Sequence, residues 1–372
     1  MGFLPTRAQA LHLTPAEIVR HRLHSQRIAR SRLREPAAVV AWMGAMQAQE
    51  FTAAKWGIGL RAPGLTEAEV DEAFDAGRIL RTHILRPTWH FVSPADIRWM
   101  LSVSGPRVQA INLRYCRKMG ADTKLLKRSR RLIERSLQHG QAVTRRELAA
   151  ALARGGVHVH GQLLAFVTMY AELDGVICSG PRRGKEFTYM LLDDRVPPGR
   201  TLDQDWALGE LAQRYFHSHG PATIRDFSWW SGMTIRETKR ALDIIKAPVV
   251  GESASGETYW CCGMDGPAPR RRAAGSVDLL PIYDEYLIAY KDRHAVASVA
   301  PPPATRGYDP YAHFLMVDGR LAGTWKRSDT QDSVHAAVTP HRPLTAAQKP
   351  ALAAAAATLG AFLGRRAVVS VG

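Results

Sequence analysis

The 372 residues carry 50 Lys and Arg against 34 Asp and Glu, a formal net charge of +16, with 46% hydrophobic and 23% charged residues. That balance fits a globular chain of two to four domains and excludes a disordered or collagenous one, and no apolar run reaches the roughly 18 residues that span a bilayer. The four cysteines (Cys116, Cys178, Cys261, Cys262) form no Cys-x-x-Cys pair, which argues against a disulfide framework or zinc ribbon. The opening stretch MGFLPTRAQALHLTPAEIVR lacks the apolar core of a secretory signal, so a cytoplasmic, nucleoid-associated protein with no membrane partner is expected. The positive charge is uneven: residues 107–146 hold twelve Lys or Arg and two acids, and residues 7–34 seven Arg and one Glu. Such density suits phosphate neutralisation on nucleic acid, although a solvated basic surface would give the same numbers.

In chain order, TPAEIVRHRLHSQRI, EPAAVVAWMGAMQAQ and TEAEVDEAFDAGR read as helices, and ILRTHILRPTWHFV as a hairpin. The pattern recurs more sharply after residue 119. TKLLKRSRRLIERSLQHG has an apolar stripe (Leu125, Leu126, Leu132, Ile133, Leu137), and TRRELAAALARGG opens on a Thr144/Glu147 capping box and stops at Gly155-Gly156. HGQLLAFVTMYAELDG is a third helix, and VICSGPRRGKEFTYML a hairpin around a basic turn. A third copy runs through DWALGELAQRYFHSHG, TIRDFSWWSG, TIRETKRALDII and the hairpin VVGESASGETYW. Three helices followed by a hairpin is the order of a winged helix-turn-helix. After GPAPRRRAAGSVD, a linker-like stretch, VDLLPIYDEYLIAY, HFLMVDGRLAGTWKR and RRAVVSVG read as strands around an Ala-rich helix, TAAQKPALAAAAATLGAFLG. The expected fold is therefore α+β: winged-helix units over 1–118, 119–200 and 201–268, then a β-rich, barrel-like domain over 269–372.

The stretch MQAQE, Met46 to Glu50, is the chemical puzzle. Its two glutamines are either a polar helix end or two amides set to hold a water. Residues two apart on a helix point about 200° apart, so convergence requires the helix to end near Gln47 and the following strand or loop to present Gln49. FTAAKWGIGL, with Gly57 and Gly59, is consistent with such an ending. Other candidates are weaker. His158/His160 and His217/His219 lack acidic or Cys partners at ligand spacing, so no metal is expected. Asp284 in YDEY and His90 in PTWHFV could support a site or serve structure. Lys55 is the amine nearest the glutamines in sequence, though no lysine stands out as a Schiff-base nucleophile. Trp89, Trp229 and Trp230 read first as packing residues and second as base-stacking ones.

Three segments, MQAQEFTAAKWGIGLR, LRPTWHFVSPADIRWML and DLLPIYDEYLIAYKDR, occur in this order with the three winged-helix units, and with them the chain resembles the AlkZ-like winged-helix DNA glycosylases. The family signature is Gln, an aliphatic residue and Gln; here Gln47, Ala48 and Gln49 match it, with Ala small for the middle place. The resemblance implies a monofunctional glycosylase without cofactor, with Gln47 and Gln49 catalytic. Its partner would be double-stranded DNA carrying bulky N-alkylated purines or interstrand crosslinks made by genotoxic natural products, met by a monomer in repair or self-resistance. Contacts to DNA are expected from Arg86, from Arg128, Arg130, Arg131, Arg145 and Arg146, and from the wing residues Arg182, Arg183 and Lys185. The competing reading is a winged-helix regulator or a drug-binding resistance protein without enzymatic activity.

Overall fold

Thr14 and Glu17 exchange hydrogen bonds as a capping box and open α1 (Pro15–Ser25). Each such cap is worth about 1 kcal/mol, and three later helices begin the same way. The computed structural model describes residues 12–198, 203–247, 249–253, 256–262, 271–297 and 312–372. These form two compact units. One comprises residues 33–211 with 231–233; the other joins the described residues up to Arg32 with 212–230 and 234–372.

In the first unit, α2 (Pro36–Met43) is an apolar run with Pro in its first turn, and Gly44 ends it at φ 77°, a conformation that glycine takes without steric cost. There follow β1 (Ala45–Gln47), α3 (Phe51–Arg61), α4 (Glu67–Asp75), β2 (Leu80–His83) and β3 (Trp89–Val92), with the three strands in the order β1-β3-β2. After α5 (Ile97–Lys118) the pattern returns as α6 (Thr123–Ser136), β4 (Val143–Thr144), α7 (Arg145–Arg154), α8 (Gly161–Leu173), β5 (Ile177–Ser179) and β6 (Thr188–Leu191). Its strands lie in the equivalent order β4-β6-β5. Leu126, Ile133 and Leu137 of the expected α6 stripe are buried with Leu148, Leu152 and Leu164 in one core, where each contributes on the order of 1.5–3 kcal/mol. A single turn, α9 (Leu192–Arg195), closes this unit's second copy.

α10 (Gln204–His219) begins the third copy, followed by α11 (Ile224–Ser231), α12 (Ile235–Ile245), β7 (Val249–Glu252) and β8 (Thr258–Trp260). The place of the first strand is taken by one antiparallel bridge, Ala222 to Trp260. The C-terminal sheet is a curled half-barrel of five strands. It is built from β9 (Val277–Leu280), β10 (His313–Val317), β11 (Arg320–Asp329), β12 (Ser333–Pro340) and β13 (Arg366–Val371), in the order β13-β12-β11-β10-β9. α13 (Glu285–Ile288) follows β9, and α14 (Gln348–Leu363) makes the crossover that lets β13 pair parallel to β12. No helix among the described residues is long and apolar enough to cross a membrane.

Several elements differ from the sequence expectation. The helix expected over 35–49 stops at Met43, and FTAAKWGIGLR is a helix whose Gly57 and Gly59 are buried. VDLLPIYDEYLIAY is strand only to Leu280: Pro281 has no N–H to give a ladder, and Asp284 then caps α13. The 14–28 helix groups with the compact unit that does not contain β1. The expected division at 118/119 falls between α5 and α6. Those at 200/201 and 268/269, the start of the GPAPRRRAAGSVD linker and the tip of the third hairpin lie outside the described residues.

Candidate active site

Gln47 closes β1 and pairs in register with His90 of β3, which in turn pairs with Thr82 of β2. The ladder continues one step: the Ala48 N–H donates to the Trp89 carbonyl at 2.7 Å. The backbone is thus strand to Gln47 and bends at Gln49 and Glu50; neither glutamine is in a helix. On a strand, residues two apart lie on the same side and the one between lies opposite. Ala48 is completely buried, Gln47 half-buried and Gln49, in the bend after β1, exposed. The small middle residue occupies a core position.

Both amide oxygens meet the same turn. Arg86 donates to Gln47 Oε1 at 2.9 Å, and the Trp89 N–H donates to Gln49 Oε1 at 3.3 Å. Arg86, in the β2–β3 connection, and Trp89, the first residue of β3, are three residues apart, so one short segment holds both side chains. Behind it lies a buried guanidinium that sequence reasoning missed. Arg81 donates to the Ala48 carbonyl at 2.9 Å and the Gln49 carbonyl at 3.3 Å. Its guanidinium carbon sits 4.4 Å from the centre of the Trp89 ring and 4.9 Å from that of Phe187. Burial lowers the Arg81 pKa to about 10, opposed by the nearby Tyr189, Glu172 and Glu50, and it remains a cation at neutral pH.

Next to Arg81, His83 Nδ1 lies 2.6 Å from Glu172 Oε2, and the His83 ring lies on Trp89 with centroids 4.1 Å apart. Glu172 is fully buried on α8, and burial raises its pKa against the opposing pull of His83 and Arg81. A carboxylate inside the apolar stripe Leu164, Thr168, Glu172 is the signal that the sequence did carry. Its partner stands 89 positions away, beyond the reach of any periodicity.

His90 lies beside Gln47 and is fully buried. Its Nδ1 is 2.9 Å from the Thr88 carbonyl, an acceptor only, so Nδ1 carries the proton and Nε2 is a bare acceptor. Nε2 is buried and has no hydrogen-bond partner among the described residues. Burial, then the Arg86 charge and His83, push the His90 pKa well below its ordinary value, while the Thr88 bond opposes them. The ring is neutral at physiological pH.

The other expected site residues separate. Lys55 is buried with its ammonium 2.9 Å from Glu67 and 2.8 Å from Asp71, so it fastens α3 to α4 and is not available as an amine nucleophile. Asp284 belongs to the other compact unit and caps α13 through the Tyr286 N–H at 2.9 Å. Its neighbour Glu285 accepts from the Trp230 indole at 3.1 Å, so the YDEY carboxylates serve structure there. Trp230 is fully buried, whereas Trp229 is 41% exposed with its indole N–H on the Ile288 carbonyl.

The arginines expected to meet DNA fall into two groups. Arg182 forms a fork on Asp75 and reaches Asp71 at 3.1 Å, which ties the second hairpin to α4. Arg183 is bonded to Glu147 and to the Ala142 carbonyl. Arg128 and Arg145 hold the Gly155 and Gly161 carbonyls at 2.6 Å each, and Arg130 pairs with Asp174. Arg131, Arg146 and Lys185 are exposed and have no ion pair among the described residues. Arg131 shares one face of α6 with exposed Lys124, Lys127 and Arg135, at helical spacing. Among the described residues no group of three or more His, Cys, Asp or Glu could hold a metal ion.

Comparison with known proteins places this geometry. The profile of the family described as "DNA glycosylase AlkZ-like" matches residues 40–362. A curated relative from Streptomyces sahachiroi, "Interstrand DNA cross-link repair glycosylase", is 23% identical over 324 residues, covering 80% of this chain and 84% of the relative. The solved structure of Streptomyces sahachiroi DNA glycosylase AlkZ superposes with a TM-score of 0.78 at 20% identity, over 97% of this chain and all of that one.

Proposed function

This chain belongs to the AlkZ-like DNA glycosylase family, and we propose that Gln47 and Gln49 are the pair with which it cleaves the N-glycosidic bond of bulky N-alkylated purines, interstrand crosslinks among them. The observation that carries the assignment is the strand end: Gln47 as the last residue of β1 and Gln49 in the bend after it, each held through its amide oxygen by the same four-residue segment. The Streptomyces sahachiroi relative's name supports crosslinks as the substrate class.

The chemistry suits amides. An N7- or N3-alkylated purine is already cationic and leaves without protonation, so the protein needs no strong general acid. It must place a water under C1′ and stabilise an oxocarbenium-like sugar. Each amide oxygen accepts a bond from the hairpin, and an amide oxygen, with two lone pairs, is the type of acceptor that can orient a water. A guanidinium left beside a cationic sugar would oppose its formation, so Arg86 is expected to exchange Gln47 for a DNA phosphate when substrate binds. The neutral His90 beside Gln47 adds an acceptor and no positive charge. With Lys55 committed to two carboxylates, the reaction is hydrolysis by a monofunctional enzyme, not lyase chemistry.

The three helix-strand-helix-helix-strand-strand copies act in this reading as tandem winged-helix units, divided near 118, 200 and 268. The chain works as a monomer on nucleoid DNA, in repair or self-resistance. Duplex is met by the exposed cations of α6 together with Arg146 and Lys185, and the arginines in ion pairs hold the units in shape. The test is a duplex joined by a single N7-guanine interstrand crosslink. The proposal expects separated strands, a released alkylated base and alkali-labile abasic sites. A specific footprint on undamaged DNA with no base release would replace it with a regulator, and tight binding of free genotoxin without DNA with a sequestering protein.

A further inference from the structure

The second compact unit contains a cavity of about 420 Å³ between α1, the turn that follows it and the start of the C-terminal sheet. Its walls carry five arginines (Arg20, Arg30, Arg271, Arg272, Arg320) against two carboxylates, Glu17 and Asp318. Both carboxylates are already committed. Glu17 takes the Thr14 N–H at 2.9 Å and hydroxyl at 2.7 Å in the α1 capping box, and Asp318 takes the Gly275 and Ser276 N–H groups at 2.9 and 3.0 Å. Of the arginines, Arg272 alone has a bidentate partner, Asp278, at 2.6 and 3.1 Å.

Arg20 reaches Glu17 only at 4.0 Å, and its buried Nε has no hydrogen-bond partner among the described residues. Arg30, Arg271 and Arg320 have no ion pair among the described residues. Five guanidiniums around one concavity outnumber Glu17, Asp318 and the Asp278 that pairs with Arg272, and the positive excess raises a potential that an anion relieves. The backbone adds a second, independent sign. Arg30 and, three residues before it, Arg27 hold φ 56° and 60°, a region that long side chains rarely take and that costs on the order of 1–3 kcal/mol. The turn so held carries Arg30 at the wall of the cavity. Beneath the charges the wall is apolar, with Val19, Leu23 and Ala274 in it. α1 packs tightly on the 318–319 turn there: a Cβ on Gly319 would meet Val19 at 2.6 Å and Leu23 at 2.7 Å.

We propose that this cavity binds a phosphate ester of nucleotide size, its phosphates forked by the unpaired arginines and its organic body laid on the Val19/Leu23 wall. Guanidinium matches phosphate with paired N–H donors. The volume lies in the range of small-molecule sites and exceeds what a bare phosphate fills. A free nucleotide and a terminal nucleotide of a DNA strand share this chemistry.

The test is calorimetric titration of the full-length protein with adenosine diphosphate, inorganic phosphate and undamaged duplex in parallel. Arg30→Asn/Arg271→Gln removes two exposed cations at little risk to folding, and Lys349→Gln, an exposed cation outside the cavity, is the control. Expected is adenosine diphosphate binding that weakens tenfold or more in the double variant and stays unchanged in the control, as the loss of one or two charge-assisted bonds predicts. An equal loss of duplex affinity in the double variant assigns the ligand to a DNA strand; unchanged duplex affinity assigns it to a free nucleotide. Binding of adenosine diphosphate no tighter than inorganic phosphate, equal loss in the control, or no effect of the double variant on either ligand overturns the proposal.

Discussion

The first and second hairpin units share one topology and differ at one junction. In the second, β4 runs straight into α7: Thr144 is at once the last strand residue and the helix cap, and its side chain takes the Glu147 N–H. It pairs with Thr188 of β6. In the first, Gln47 occupies the corresponding end of β1 and pairs with His90, and Ala48, Gln49 and Glu50 are inserted before α3. α3 then begins on Glu50 with no side-chain cap. A cap worth about 1 kcal/mol is absent where the two amides are presented. The inserted segment is instead held by Arg81, which reaches across from β2 and donates to the Ala48 and Gln49 carbonyls, leaving the first-turn N–H groups of α3 without a side-chain acceptor. One copy of the fold is finished with a capped helix, and the other, under the proposed function, is opened for chemistry.

The contrast breaks most severely at Arg81. Arg81→Met leaves two carbonyls without their donor and Glu172 without a neighbouring cation. We expect about 3 kcal/mol lost in urea unfolding and single-turnover base release at least tenfold slower in protein shown to be folded. A stability loss with an unchanged rate would make Arg81 structural only. Next come the cations. Lys127→Gln and Arg131→Gln should each reduce the slope of log affinity against log salt by about 1 for duplex DNA. Arg182→Gln should leave that slope unchanged and cost about 2 kcal/mol of stability by leaving Asp71 and Asp75 without its fork.

A pH series sharpens the same comparison. The folded-state pKa of His90 lies well below its unfolded value near 6.5. Below pH 6.5 the unfolded chain binds a proton that the folded chain excludes, so stability falls as pH drops through this window and is flat above it. The burial of His313, at about 4, acts in the same direction. Relative to wild type, His90→Asn should flatten the acid-side slope by up to one proton, about 1.4 kcal/mol per pH unit. The smallest effect is that of Thr144→Ala, about 1 kcal/mol of stability and no change in base release.

Much of this was legible in the chain, and the losses have physical causes. The Thr144/Glu147 cap read from the sequence formed, because a capping box is local. The Asp318-Gly319 turn formed with both residues at positive φ. β1 was hidden because AAVVAWMGAM is apolar throughout and periodicity alone does not separate strand from helix in such a run; Gly44 was the overlooked break. α3 was hidden by Gly57 and Gly59, which signal breakers in isolation but are buried within the helix. The glutamines stood out in the sequence, whereas their supports did not. Arg81 acts across a hairpin and Glu172 across two units, through contacts that tertiary folding alone creates.

The central claim is that Gln47 and Gln49 act on one water as a pair. The most direct measurement is single-turnover base release from N7-alkylguanine duplex by Gln47→Ala, Gln49→Ala and the double variant, each verified as folded and DNA-binding. The account predicts that each single change slows release by about 10²–10⁴, and that the double variant is little worse than the slower single one, as residues acting as a unit behave. Release at the wild-type rate by either single variant, in protein that still binds duplex, would contradict it.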